Sequence, residues 1–171
     1  MDSMPLMKTS TDRILTTHVG SLPRPDDLIE MLQLKDRGEA YDPLSFDQCV
    51  ANAVDATVSR QVTTGIDLVS DGEMSKISYA TYLKDRLHGF DGTATENRAA
   101  SDLLDYIAFA RRLVEQGGTE RSLEGPACSG PLSVRDDAPL QKDLANFSAA
   151  VKTHQPTGGF LTASSPGVVS V

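Results

Sequence analysis

Residues 46 to 73 constrain this chain more than any other stretch. Phe46, Val50, Val54, Val58 and Val62 recur every four residues, Ala53 and Thr57 fill the same stripe, and Gly65 ends the pattern. That spacing predicts a helix with one apolar face. Gly65 leads directly into Ile66-Asp67-Leu68-Val69-Ser70, which reads as a strand, and Asp71-Gly72-Glu73 closes it with a turn. Upstream, Ile14-Leu15-Thr16-Thr17-His18-Val19 is a β-branched run ending at Gly20. The unit is therefore strand, helix, strand, and a crossover of this kind joins parallel strands.

The rest of the chain repeats the alternation. Ser21-Leu22-Pro23-Arg24-Pro25 cannot extend the first strand, since two prolines remove donors and fix φ. Asp26 and Asp27 suit the positive end of a following helix with Leu28, Ile29 and Leu32 on its face and Gly38 as its stop. A helical segment is expected over 79–88, a polar loop over 91–98, and a helix carrying Leu103, Leu104, Ile107, Ala110 and Val114 that ends at Gly117-Gly118. Residues 121–134, interrupted by Gly125-Pro126 and Gly130-Pro131, read as a third strand with an irregular loop. Leu140, Leu144, Phe147 and Val151 mark a helix over 139–153, followed by a short strand at Phe160-Leu161-Thr162-Ala163. The end, Val168-Val169-Ser170-Val171, reads as premature, with no polar cap or turn. Parallel strands release their loops at one edge, so function is expected at 19–25, 70–76, 127–136 and 163–167.

Composition narrows the partners. Sixteen basic against 24 acidic side chains leave a net charge of −8, which argues against nucleic acid and anionic membrane surfaces. Two cysteines, Cys49 and Cys128, match neither a disulfide scaffold nor zinc-finger spacing, and a cytoplasmic location is expected. The N-terminus lacks the basic head and apolar run of a signal peptide, and no window approaches the roughly 18 apolar residues of a membrane span. His18, His88 and His154 lie far apart, so the spacing offers no metal site. Asn146-Phe147-Ser148 fits a glycosylation sequon but falls within a helix pattern, and 91–96 lacks the ligand spacing of a calcium loop.

The pairing of greatest chemical interest joins His18-Val19-Gly20-Ser21 to Asp71-Gly72-Glu73, because adjacent parallel strands bring their C-terminal loops to one rim. Glu73 there is either a solvated turn acid or a carboxylate that holds an ammonium group. His18 is either a structural histidine or a ligand contact. Cys128, near a strand end, reads as a buried or pocket-lining thiol with no adjacent base.

Three segments, 14–24, 65–73 and 162–167, together resemble the cobalamin-independent methionine synthase family, each at an expected strand end and in the family's order. The resemblance implies an α/β fold, a partial (β/α)8 TIM-type barrel holding about the first four βα units. The chain then divides into a flexible N-terminus at 1–12 and an incomplete barrel domain at 13–171. It implies methyl transfer from methyltetrahydrofolate to homocysteine, with zinc holding the acceptor as a thiolate. Carried over by position, Val19, Gly20 and Ser21 look like the segment touching the amino-acid substrate, with His18 beside them. Glu73 looks like the acid binding its ammonium, with Asp71 orienting that turn. Arg24 either holds a carboxylate or faces solvent, and Pro126-Ala127-Cys128 resembles part of the folate rim. The family's zinc ligands, a His-x-Cys pair, a Glu and a later Cys, have no match here and are expected outside this chain. A whole barrel takes about 250 residues and eight strands, so a C-terminal half-barrel or self-association is expected to cover the open sheet. Alkyl transfer to another small thiol such as coenzyme M, and a non-catalytic half-barrel, are the alternative readings.

Overall fold

The computed structural model describes residues 8–90, 92–93, 105–115 and 126–165 of the 171. Several expectations lie outside these: residues 1–7 of the loose start, most of the 91–98 loop, Leu103 and Leu104, the Gly117-Gly118 stop and the 166–171 end.

Two helices form where the patterns placed them. Helix α1 spans Asp26–Asp36 and buries Leu28 and Leu32. Gly38 follows at φ +69°, a left-handed stop that a side chain would resist. Helix α2 spans Pro43–Thr63, starting three residues before the apolar stripe begins at Phe46. Asp42 explains the extension: its carboxylate accepts the Leu44 N–H at 3.1 Å and the Ser45 hydroxyl at 2.6 Å, and Pro43 needs no N–H partner at the first helical position. The stripe is the buried face, with Phe46, Val50, Ala53, Val54 and Val58 all in the core.

Gly65 turns the chain into strand β1, Leu68–Val69, whose neighbours run parallel on both sides. Thr17 forms a single parallel bridge to Leu68, so the first expected strand is far shorter than its β-branched run. Side chains reinforce the backbone bonds that the Asp67 and Leu68 N–H groups make to the Thr16 carbonyl: Asp67 accepts from the Thr16 N–H at 2.8 Å and from its hydroxyl at 3.0 Å, and pairs with Arg13.

Of the 121–134 stretch expected to supply a third strand, the described residues 126–134 pair antiparallel, and 121–125 lie outside the described residues. The chain leaves β1 through helix α3, Tyr79–Lys84, and enters β2, Leu87–His88, where a helix had been expected to continue to 88. β3, Gly92–Thr93, is followed by helix α4, Ile107–Glu115. β4, Pro126–Ala127, pairs antiparallel with β3, and β5, Ser133–Val134, pairs antiparallel with β2. Pro126 and Pro131 withhold N–H donors, which keeps these ladders to two residues.

Helix α5, Ala138–His154, then returns to the sheet and packs on α2. Its buried face is Asp143, Phe147 and Ala150, rotated from the expected Leu140, Leu144, Phe147 and Val151; Leu140 and Leu144 remain 42% and 41% exposed. A carboxylate takes the inward position with its Oδ2 accepting from Tyr82 Oη at 2.6 Å and from Arg86 at 3.2 Å. Strand β6, Gly158–Gly159, pairs with β1 in parallel two residues before the expected Phe160 start. Glycine is required at that approach: a Cβ on Gly159 would stand 2.7 Å from the Phe147 ring and 3.3 Å from the Val69 carbonyl oxygen. β1 thus lies centrally, with Thr17 on one flank and β6 on the other, α2 and α5 acting as the two crossovers. Among the described residues no helix is long and apolar enough to cross a membrane.

Candidate functional site

The loops that leave these parallel strands meet. Leu22 donates its N–H to the Gly72 carbonyl at 3.0 Å, which docks the 19–25 loop against the turn after β1. At this contact the Ser21 hydroxyl donates to Glu73 Oε2 at 2.5 Å. Thr162, from the segment after β6, reaches the other carboxylate oxygen at 3.4 Å. The carboxylate at the end of β1 therefore receives hydroxyls from the segments that follow the two flanking strands.

The turn that presents Glu73 is strained and clamped. Gly72 and Glu73 both adopt positive φ, +63° and +60°, and for a non-glycine residue that conformation costs about 1–2 kcal/mol. A Cβ at Gly72 would meet Thr57 Cγ2 at 2.9 Å and Leu22 Cβ at 3.1 Å, so glycine is needed there for space as well. Asp71 Oδ1 accepts the Glu73 N–H at 3.1 Å. Arg24 donates to the carbonyl oxygens of Glu73 at 2.8 Å and Lys76 at 2.5 Å. Burial pushes the Arg24 guanidinium below its ordinary value, opposed by the carboxylates of Glu73 and Asp71.

Behind the turn runs a buried polar chain. Lys76 Nζ bonds Asp71 Oδ2 at 2.9 Å, both side chains 4% exposed. The ammonium lies 5.1 Å from the Tyr82 ring centroid, and the Arg86 guanidinium stacks 3.4 Å from the same centroid. Burial, then the Asp143 hydrogen bond, raises the Tyr82 phenol well above its usual value, so it stays a neutral donor. Gln61 fastens the far side, donating to the Ser70 carbonyl at 2.8 Å and accepting the Ser70 N–H at 3.0 Å.

The residues picked from sequence divide. Ser21, Arg24, Asp71 and Glu73 come together. Gly20 has φ +103°, turning the chain between strand and loop, and Val19 points away at 69% exposure. His18 is half-buried, with a buried Nε2 that has no hydrogen-bond partner among the described residues. Cys128 belongs to the other ladders: it is exposed, its thiol faces the Gly130 carbonyl at 3.4 Å, and its neighbour Ser129 donates to Gly89. Sequence reading missed Lys76 and Thr162. A lysine five residues beyond an aspartate, across a Gly turn, is the signal that could have found the first.

A cavity of about 450 Å³ opens beside the site, among Phe46, Tyr41, Lys76, Tyr82, Arg86 and Asp143. Ser21, Arg24 and Glu73 do not line it, whereas Lys76, Tyr82, Arg86 and Asp143 of the polar chain do. Among the described residues no three His, Cys, Asp or Glu side chains converge to hold a metal. The residues described do not fit a zinc site.

No family model matches the chain. It is similar to three archaeal proteins named methionine synthase. That of Sulfurisphaera tokodaii is 30% identical over 162 residues, covering 85% of this chain and 46% of the relative. That of Sulfolobus acidocaldarius is 26% identical over 149 residues, covering 76% and 43%. That of Pyrococcus furiosus is 26% identical over 133 residues, covering 71% and 39%. The chain spans less than half the length of the curated relatives it matches.

Proposed function

We propose that the chain supplies the amino-acid-binding loops of a methionine-synthase-like methyltransferase, within a partial (β/α)8 barrel. The observation that carries this reading is the Ser21 to Glu73 hydrogen bond, with Thr162 on the second carboxylate oxygen. A carboxylate only accepts, through about four lone-pair directions, and its charge suits the N–H donors of an ammonium group. Its position at the common edge of parallel strands, on a strained and clamped turn, is the kind of placement a binding residue has. The acceptor in this reading is homocysteine, the donor methyltetrahydrofolate, and the product methionine, in the cytoplasm. The similarity to proteins named methionine synthase supports the choice among amino acids.

This chain's residues act on the substrate by binding and orientation. Glu73 holds the ammonium by charge, Ser21 and Thr162 hold Glu73, and Arg24 and Asp71 hold the turn's backbone. The amino acid's thiol is thereby placed at a fixed distance from the rim, where fixed geometry lowers the entropic cost of transfer. In this proposal zinc has its ligands outside the chain, and a C-terminal half-barrel or a second copy pairs with the flank of the Thr17 strand, where Ile14 is 84% exposed.

Thermal protection tests the reading. Homocysteine is expected to raise the melting temperature more than mercaptobutyrate, the same thiol acid without its amino group. Equal protection by the two removes Glu73 as an ammonium ligand and favours alkyl transfer to a thiol such as coenzyme M.

A further inference from the structure

We infer that Lys76 is a positioning residue for the Glu73 carboxylate, acting through Asp71. The inference rests on the reading of Glu73 as an ammonium ligand. The two oxygens of Asp71 have separate duties: Oδ1 accepts the Glu73 N–H at 3.1 Å and Oδ2 accepts Lys76 Nζ at 2.9 Å. Pinning one oxygen with a buried cation fixes the direction of the other. Lys76 also grips Glu73 through the backbone, donating its N–H to the Glu73 carbonyl at 3.1 Å. Arg24 ties the two residues together by spanning both carbonyl oxygens. A residue held at φ +60° has no intrinsic preference for that state, so its side-chain direction depends on these neighbours.

Stability alone gives poor reason for the pair. Taking a lysine and an aspartate out of water costs as much as their attraction commonly returns, and apolar replacements of the same volume are often tolerated. The Asp71–Lys76 pair differs from such a replaceable pair because its carboxylate also fixes the backbone of the binding acid. Tyr82 and Arg86 extend the restraint: the Tyr82 ring meets the ammonium on one side and its hydroxyl is anchored on Asp143 of α5. The crossover helix and the turn are thus coupled through Lys76.

The test compares the dissociation constants of mercaptobutyrate and homocysteine, measured by calorimetry on the full chain. Their ratio reports recognition of the amino group and is insensitive to a general loosening. In the unsubstituted protein the ratio is expected to be about tenfold or more, the size of one charge-assisted hydrogen bond. Lys76→Met is expected to bring it close to unity, and Lys76→Arg, which keeps the charge, to retain most of it. Should Lys76→Met fail to fold, Asp71→Ala with Lys76→Ala removes both charges together, leaving no lone buried ion, and is expected to lose the ratio as well. A folded Lys76→Met or double variant that keeps the full ratio, while Glu73→Gln loses it, overturns this inference and leaves the parent reading standing. A Glu73→Gln protein that keeps the ratio removes both.

Discussion

Two parts of the molecule are held by different means. The first, α1, α2, β1, α5 and β6, shares one apolar core in which Leu28, Val58, Val69 and Met74 are 0% exposed. The second, the described residues between 77 and 135, carries backbone bonds beside its two-residue ladders, such as Ser129 to Gly89 at 2.7 Å and Arg135 to Arg86 at 2.7 Å. Among its described residues Phe90 is buried, while Tyr106, Ile107, Phe109 and Val134 are each more than half exposed. The site's polar chain starts in the first part and reaches into the second through Tyr82 and Arg86. Precision at Glu73 therefore draws on the part built around the shared apolar core.

Substitutions can break that contrast. Phe147→Ala removes a core ring against Gly159 and is expected to cost about 3–5 kcal/mol in urea unfolding, whereas Phe109→Ala, on an exposed helix face, should stay within about 0.5 kcal/mol. Equal effects would mean that the two parts share one core. Next in size, Gly72→Ala combines a left-handed backbone with contacts under 3.2 Å to Thr57 and Leu22. It is expected to cost about 2–4 kcal/mol and to weaken homocysteine binding along with stability.

Acid sharpens the comparison from the opposite end of the sheet. Hydrogen bonding from Arg13, then from the Thr16 N–H, holds the Asp67 carboxyl well below the ordinary carboxylate range. A group depressed in the folded state stabilises above its unfolded pKa of about 3.9 and loses that contribution as pH falls through the folded value. Asp67→Asn should thus lower the melting temperature at pH 6, and the gap from the unsubstituted protein should narrow progressively below about pH 4. A gap that is constant over this range would show that the charge is not what ties Thr16 to β1. The smallest effect belongs to Cys128→Ser: the thiol is exposed, so stability should change by less than about 0.5 kcal/mol, and homocysteine affinity should be unchanged.

The same contrast decides what could be read from sequence. Helix α2 was legible because five apolar residues at one spacing serve one core, and β1 because it follows without a loop. The meeting of Ser21 with Glu73 followed from strand order alone. α5 was placed correctly, but its inward face was not, since Asp143 is buried by partners 57 and 61 residues away that leave no periodic trace. The antiparallel pairing of 126–127 and 133–134 is not legible because two-residue ladders beside proline carry no alternation. Lys76 escaped notice because its role depends on burial, which a charged residue in a turn does not advertise.

The most direct measurement is a double-mutant cycle on homocysteine affinity with Ser21→Ala, Glu73→Gln and the pair. If the serine acts by aiming the carboxylate at the ammonium, the two changes should couple by about 1 kcal/mol or more, the double variant losing little beyond Glu73→Gln alone. Strictly additive losses, or no loss from Glu73→Gln, would contradict the account.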